Sequence, residues 1–200
     1  MQTANQFHDT IQLHTLGCQH ISCKNVNAKQ KEYIVCQTHP LTDLKYCYTQ
    51  FYYYKEPRLL VTTPIMVCPF GINQQGSGFK MCLQFTNYLH DPEMARFYEF
   101  IQECEYKQME LLGLTEDNSD LFISQIRRDK QEKYDPNLEV KLPFSYNQFH
   151  CDIYSDTYSA INILNIKKFS KLQCDIYLDK LWKYNDTYIS KWKVKMIHVI

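Results

Sequence analysis

Apolar and polar positions alternate along several stretches of this chain, and at one place they follow a helical spacing instead. "FKMCLQF" (Phe79–Phe85) sets Phe79, Met81, Leu83 and Phe85 against Lys80, Cys82 and Gln84, the period of two expected of a strand with one wet face. "KLQCDIYLD" (Lys171–Asp179) alternates Leu172, Cys174, Ile176 and Leu178 in the same way. "LEVKLPF" (Leu138–Phe144) predicts a strand ended by Pro143. The closing "KWKVKMIHVI" predicts a strand with Lys191, Lys193 and Lys195 on one face and Trp192, Val194, Met196 and His198 on the other. The aromatic density of "YTQFYYYK" (Tyr48–Lys55) also favours a strand, in which Tyr52 and Tyr54 share a face.

The helical stretch follows Asp91. Met94, Phe97, Ile101, Cys104, Met109 and Leu112 recur at roughly helical spacing, with Glu99, Glu103 and Glu110 outside them. Asp91 suits the N-cap, Pro92 the first turn and Gly113 the C-terminal stop, so a helix over residues 92–112 is predicted. "RLLVTTPIMVCPFGI" (Arg58–Ile72) is apolar but too short and interrupted to cross a bilayer, which takes about 20 apolar residues. Pro64 and Pro69 exclude a helix there. What remains is a buried pair of strands with a kink, or one strand bulged at Pro64, ending at a Pro-Phe-Gly turn. "INQQGSG" (Ile72–Gly78) is a polar loop, and residues 114–137 form a polar connector broken by the apolar burst Leu121–Ile126. The result is a β-rich α+β fold in one domain. Residues 1–50 form a variable N-terminal part and residues 51–200 the core.

Two hundred residues, 44% of them hydrophobic, suffice for one domain with a real core. The start "MQTANQFHDTIQL" has neither a basic nor an apolar leader pattern, so the chain is not expected to be secreted. Its nine cysteines, an odd number, then read as reduced thiols. Zero net charge hides an asymmetry. Residues 1–120 carry nine Lys+Arg against 13 Asp+Glu, and residues 121–200 carry 13 against nine. The C-terminal excess points modestly to an anionic partner.

The order of several segments resembles a known family. They are "TPIMVCPFGI" (Thr63–Ile72), the strand ending "LQF" (Leu83–Phe85), the helix after Asp91, "KYDPNLEVKLPF" (Lys133–Phe144), the segment ending "IYLDKLW" (Ile176–Trp182), and "KWKVKMIHV" (Lys191–Val199). The succession resembles the single-stranded DNA-binding proteins of nucleocytoplasmic large DNA viruses, the group that includes giant viruses and African swine fever virus. It runs from about residue 58 to the end. The resemblance implies an OB-like β-barrel or strongly curved antiparallel sheet, with the helix covering one end. It implies sequence-tolerant binding of single-stranded DNA, or RNA, in viral replication, repair or recombination. Implied partners beyond the strand are a second copy of the chain or replication and assembly proteins, and no membrane. The implied location is the host cytoplasm or viral factory, with nucleus and virion as alternatives.

The residues themselves offer little catalytic chemistry. No phosphate loop, G-x-S-x-G, H-E-x-x-H or G-x-G-x-x-G occurs, so no enzyme and no cofactor is expected. Glu116, Asp117 and Asp120 lack calcium-loop spacing and read as a polar loop. A zinc set of Cys18, Cys23, Cys36 and His39 is a secondary candidate, with His14, His20 and Cys47 as substitutes, against the simpler reading of buried thiols. Single-strand binding needs cations for phosphates and aromatic faces for bases. Arg127, Arg128, Lys130, Lys133 and Tyr134 crowd one connector, Lys191, Lys193 and Lys195 one strand face, and Tyr52 and Tyr54 another. The competing reading is a structural or scaffolding component of a virion or assembly factory.

Overall fold

The computed structural model describes residues 5–6, 16–24, 33–35, 46–53, 59–156, 161–184 and 187–200, with side chains from residue 59 onward except at residues 111, 180, 183 and 184. Its core is a closed barrel of five strand paths. β1 comprises Leu60–Thr62 and Met66–Cys68, β2 is Gly78–Gln84, β3 is Asn137–Leu142, β4 is Ser170–Tyr184 and β5 is Thr187–Val199. β1 pairs with β2 and β2 with β3, both antiparallel, and β3 pairs with β5 in parallel. β5 returns antiparallel to β4, and β4 lies antiparallel to both segments of β1, which closes the ring. The order 1-2-3-5-4 around the ring is that of an OB-like Greek-key barrel.

The apolar run at Arg58–Ile72 answers to its prolines. Its two strand segments do not pair with each other. They lie end to end along β4, opposite Asp175–Tyr177 and Ser170–Leu172, with the break at residues 63–65. Thr63 bridges that break: its N–H donates to the Cys174 carbonyl (2.8 Å) and its hydroxyl accepts from the Cys174 N–H (3.0 Å). Pro64 thus sits where no ladder bond is required of it. Leu59, Leu60, Val61, Met66 and Cys68 are buried, whereas Ile65 points to solvent.

The alternating stretches behave as their patterns require. Met81, Leu83 and Phe85, Leu138, Val140 and Leu142, and Leu172, Cys174, Ile176 and Leu178 all enter the core. β5 needs a correction. Trp192 and Val194 are buried, but the next buried residue is Ile197, not Met196. Ile176 pairs with Val194 and Asp175 with Met196, so Lys195 is an extra residue at a bulge. The bulge inverts the phase, and Lys195 drops out of the alternation that keeps Lys191 and Lys193 together.

Helix α1 spans Pro92–Leu111. The Asp91 carboxylate accepts from the N–H groups of Glu93 (2.9 Å) and Met94 (3.1 Å), and Gly113 follows the C-cap Leu112 at φ +67°. Met94, Phe97, Ile101 and Cys104 join the core, and Phe85 at the end of β2 packs on Phe97 and Tyr98, so α1 covers the barrel there. The connector after α1 is more ordered than its polarity suggests. Phe122–Ile123 pairs with β5 and Ile126–Arg127 with β3. The Glu105 carboxylate on α1 accepts from Ser124 Oγ and the Gln125 N–H, each at 2.7 Å, which ties the connector to the helix. Burial raises the Glu105 pKa against the effect of those two donors.

β4 and β5 continue past the barrel as a long hairpin. Strand Tyr46–Tyr53 pairs with the far part of β4, and Leu16–Lys24 and Tyr33–Val35 extend the sheet beyond it.

Candidate nucleic-acid interface

The outward positions of β2, β3 and β5 converge on one groove of about 380 Å³. Strand register builds it. Lys80 on β2 stands opposite Lys141 on β3, and Lys141 stands opposite Lys193 on β5. Directly opposed like charges destabilise a sheet, so a row of three lysines across three strands is not explained by folding. Lys191 joins Lys80 and Lys141 in lining the groove. The outer lysines of the row are partly neutralised: Lys80 Nζ lies 2.8 Å from Glu139 Oε2, and Lys193 Nζ lies 2.6 Å from Asp179 Oδ2. Lys141, in the middle, makes no ion pair among the described residues. Partial burial, then Lys191 and Lys193, hold its pKa below the usual lysine value, with Asp179 opposing them.

Aromatic surface adjoins the cations. Phe79 and Phe144 line the groove, and with Phe149 they form a triad whose ring centroids lie 4.7 to 4.9 Å apart. Phe144–Ser145 and Gln148–Phe149 make a small hairpin, turned by Tyr146 and Asn147, both at positive φ. Tyr146 at its tip is 94% exposed. The polar stretch expected as a loop instead forms a short strand, Asn73–Gln75, paired antiparallel with the start of β2; Gln75, Ser77 in its turn and Gln125 from the connector complete the walls. In an OB fold the strand 2–3 face and the loop between strands 1 and 2 form the ligand surface. The groove lies on that face.

The residues expected from the sequence fall into three sets. Lys191 lines the groove and Lys193 ends the lysine row opposite Lys141, whereas Lys195 falls at the bulge. Of the connector residues, Arg127 reaches the groove's edge through Glu139 at 3.7 Å. Arg128 turns away and donates to the Tyr98 hydroxyl at 2.7 Å. Lys133 lies 5.3 Å over the ring of Tyr134, itself exposed, and neither these two nor Lys130 lines the groove. Tyr52 lies on strand Tyr46–Tyr53 opposite Gly17, and Tyr54 lies outside the described residues. Lys80, Lys141, Phe79, Phe144 and Tyr146 were missed. The signals in the sequence are a lysine on the wet side of β2 and of β3 and the symmetric pattern "FSYNQF" around a two-residue turn; Phe79 has none, because its alternation with Met81 and Leu83 places it on the core face, and it is half-buried at the groove's edge.

Cys18, Cys23, Cys36 and His39 lie outside the residues whose side chains the structure describes. Among the described residues no three His, Cys, Asp or Glu side chains converge. Cys18 and Cys23 lie on strand Leu16–Lys24, and Cys36 and His39 lie outside the described residues. Glu116, Asp117 and Asp120 occupy a short 3-10 helix. Burial pushes the Cys68 and Cys151 thiols up to about 11 and raises those of Cys82, Cys104 and Cys174. These five thiols stay protonated near neutral pH, which suits packing rather than nucleophilic attack.

No protein-family model and no curated protein matches the chain. Among solved structures it is similar to the crystal structure of gp2.5, a single-stranded DNA-binding protein encoded by bacteriophage T7. The TM-score is 0.46 and the identity 13%, over 71% of this chain and 86% of that chain. The barrel assignment above stands on the strand pairings alone.

Proposed function

We propose that this chain binds single-stranded DNA, without sequence preference, across the β2–β3–β5 face. The observation that carries the reading is the cross-strand row Lys80–Lys141–Lys193 beside the Phe79/Phe144 surface. The lysines track phosphates as point charges, and the aromatic faces take bases, each stack contributing about 1–3 kcal/mol. At about 380 Å³ the groove is at the small end of the ~300–1,000 Å³ typical of ligand sites, suited to one unit of a polymer at a time. On this reading the protein acts by binding and not by catalysis. The resemblance to the large DNA virus proteins supports viral replication, repair or recombination as the setting.

Fluorescence polarisation with one labelled sequence, presented at low salt as a single DNA strand, as duplex and as RNA, tests the reading. Single-stranded DNA is expected to bind more tightly than duplex and to weaken with added salt. Equal or tighter duplex binding overturns stacking as the mechanism. No binding to any of the three leaves the scaffolding role in its place.

A further inference from the structure

The geometry points to a second nucleic-acid station at the end of the barrel: a ledge of Phe70 and Phe169, flanked by Lys167 and Lys168, that takes the strand as it leaves the groove. This inference rests on the single-strand reading and extends it. Phe70 is 53% and Phe169 72% exposed, an unusual position for two phenylalanines in a chain with a well-filled core. Phe169 is also held at φ +65°, a conformation that a bulky side chain adopts only at a cost. The structure fixes it there by a 2.7 Å bond from its N–H to the Cys68 carbonyl.

The two aromatic residues come from loops packed backbone to backbone. Gly71, at φ +67°, lies so close to residues 166–168 that a Cβ there would meet the Ile166 carbonyl at 3.0 Å. That contact brings Phe70, next to Gly71, to the loop that carries Lys167, Lys168 and Phe169. Both lysines are exposed. Aromatic faces beside ammonium groups match a base-and-phosphate polymer, because cations alone would not favour exposed rings and rings alone would not favour lysines.

Continuity with the groove supports the same occupant. Phe70 opens the β1–β2 connection, whose hairpin strand Asn73–Gln75 and turn supply Gln75 and Ser77 to the groove wall. Phe70 and Gln75 are five residues apart, hence separated by at most about 18 Å. One strand can therefore engage both stations within the ~4–16 nucleotides that an OB fold covers.

The test uses the full chain and labelled oligothymidylates of about 6, 12 and 18 nucleotides, a range that brackets those site sizes. The variant is Phe70→Ser with Phe169→Gly, the glycine suiting the left-handed position. Loss of the two rings is expected to weaken the longer probes about tenfold or more while the shortest stays within about twofold of wild type. Lys167→Gln with Lys168→Gln should reproduce the length-selective loss and decides the question if the aromatic variant melts early. Unchanged binding at every length overturns the ledge and leaves the groove reading standing. Equal weakening at every length overturns its separation from the groove. A wild type that binds no length overturns both readings.

Discussion

Two regions of the molecule concentrate positive charge, and they do so in opposite ways. The connector at Arg127–Tyr134 brings cations together in sequence, but folding disperses them: Arg128 binds the Tyr98 hydroxyl, Lys133 covers Tyr134, and Arg127 leans on Glu139. The sheet face takes lysines from residues 80, 141 and 193 and sets them directly opposite one another. There the partnering is incomplete, since Glu139 and Asp179 serve the outer two and Lys141 makes no ion pair among the described residues. Charge that is close in the chain is easily satisfied by local contacts. Charge that converges through strand pairing is costly to assemble and is the better mark of a site.

The largest effect comes from removing the platform that both regions share. Trp192, 1% exposed, anchors β5 between the lysines, and Trp192→Ala should cost about 3–5 kcal/mol. Its thermal transition should fall steeply, and DNA binding should vanish with the fold. A variant that melts like wild type would show that β5 is not held from inside the barrel.

Separating the regions comes next. Lys141→Glu places an acid among Lys80, Lys191 and Lys193, so binding should drop by about tenfold or more while stability holds or rises by about 0.2–1 kcal/mol. The combined connector variant Arg128→Gln/Lys133→Gln should change affinity by no more than about twofold. If the connector variant loses more than the sheet variant, the two regions exchange roles.

A smaller effect is read from pH. Lys141 has its pKa lowered by burial and by Lys191 and Lys193. Between that lowered value and the ordinary lysine pKa of about 10.4 the unfolded chain holds more protons than the folded one, so this group makes stability rise with pH there. The strain of the charged form is fully present below the folded pKa and is relieved as pH rises through it. Binding follows the opposite course and should weaken from the alkaline side before ordinary lysines titrate. Lys141→Met should flatten both profiles, as chemical denaturation and polarisation titrations across alkaline pH would reveal.

The same contrast explains what could be read from the chain. The helix after Asp91 was legible because a cap, a first-turn proline and helical spacing are local signals, and each appears in the structure. The core faces of β2 and β4 were legible from their period of two, and β3 as a strand ended by Pro143. Register was not: nothing near Lys80 announces that Lys141 will stand opposite it, because that pairing depends on closure of a barrel from distant segments. The bulge at Lys195 was hidden for a related reason, since a single extra residue inverts a strand's phase and leaves no local mark. Charge density in the sequence therefore favours the connector, whereas the aromatic residues at the groove come together only through the hairpin at Phe144–Phe149.

The most direct measurement is the salt dependence of single-strand binding by wild type and by Lys80→Gln/Lys141→Gln/Lys191→Gln. Each phosphate of a single strand that the protein no longer neutralises should reduce the slope of log K against log salt by about 0.7, so removing all three cations makes it shallower by about 2. The result expected is that shallower slope, weaker binding at low salt and an unchanged melting temperature. A triple variant that folds and keeps the wild-type slope and affinity would contradict the lysine groove as the seat of DNA binding.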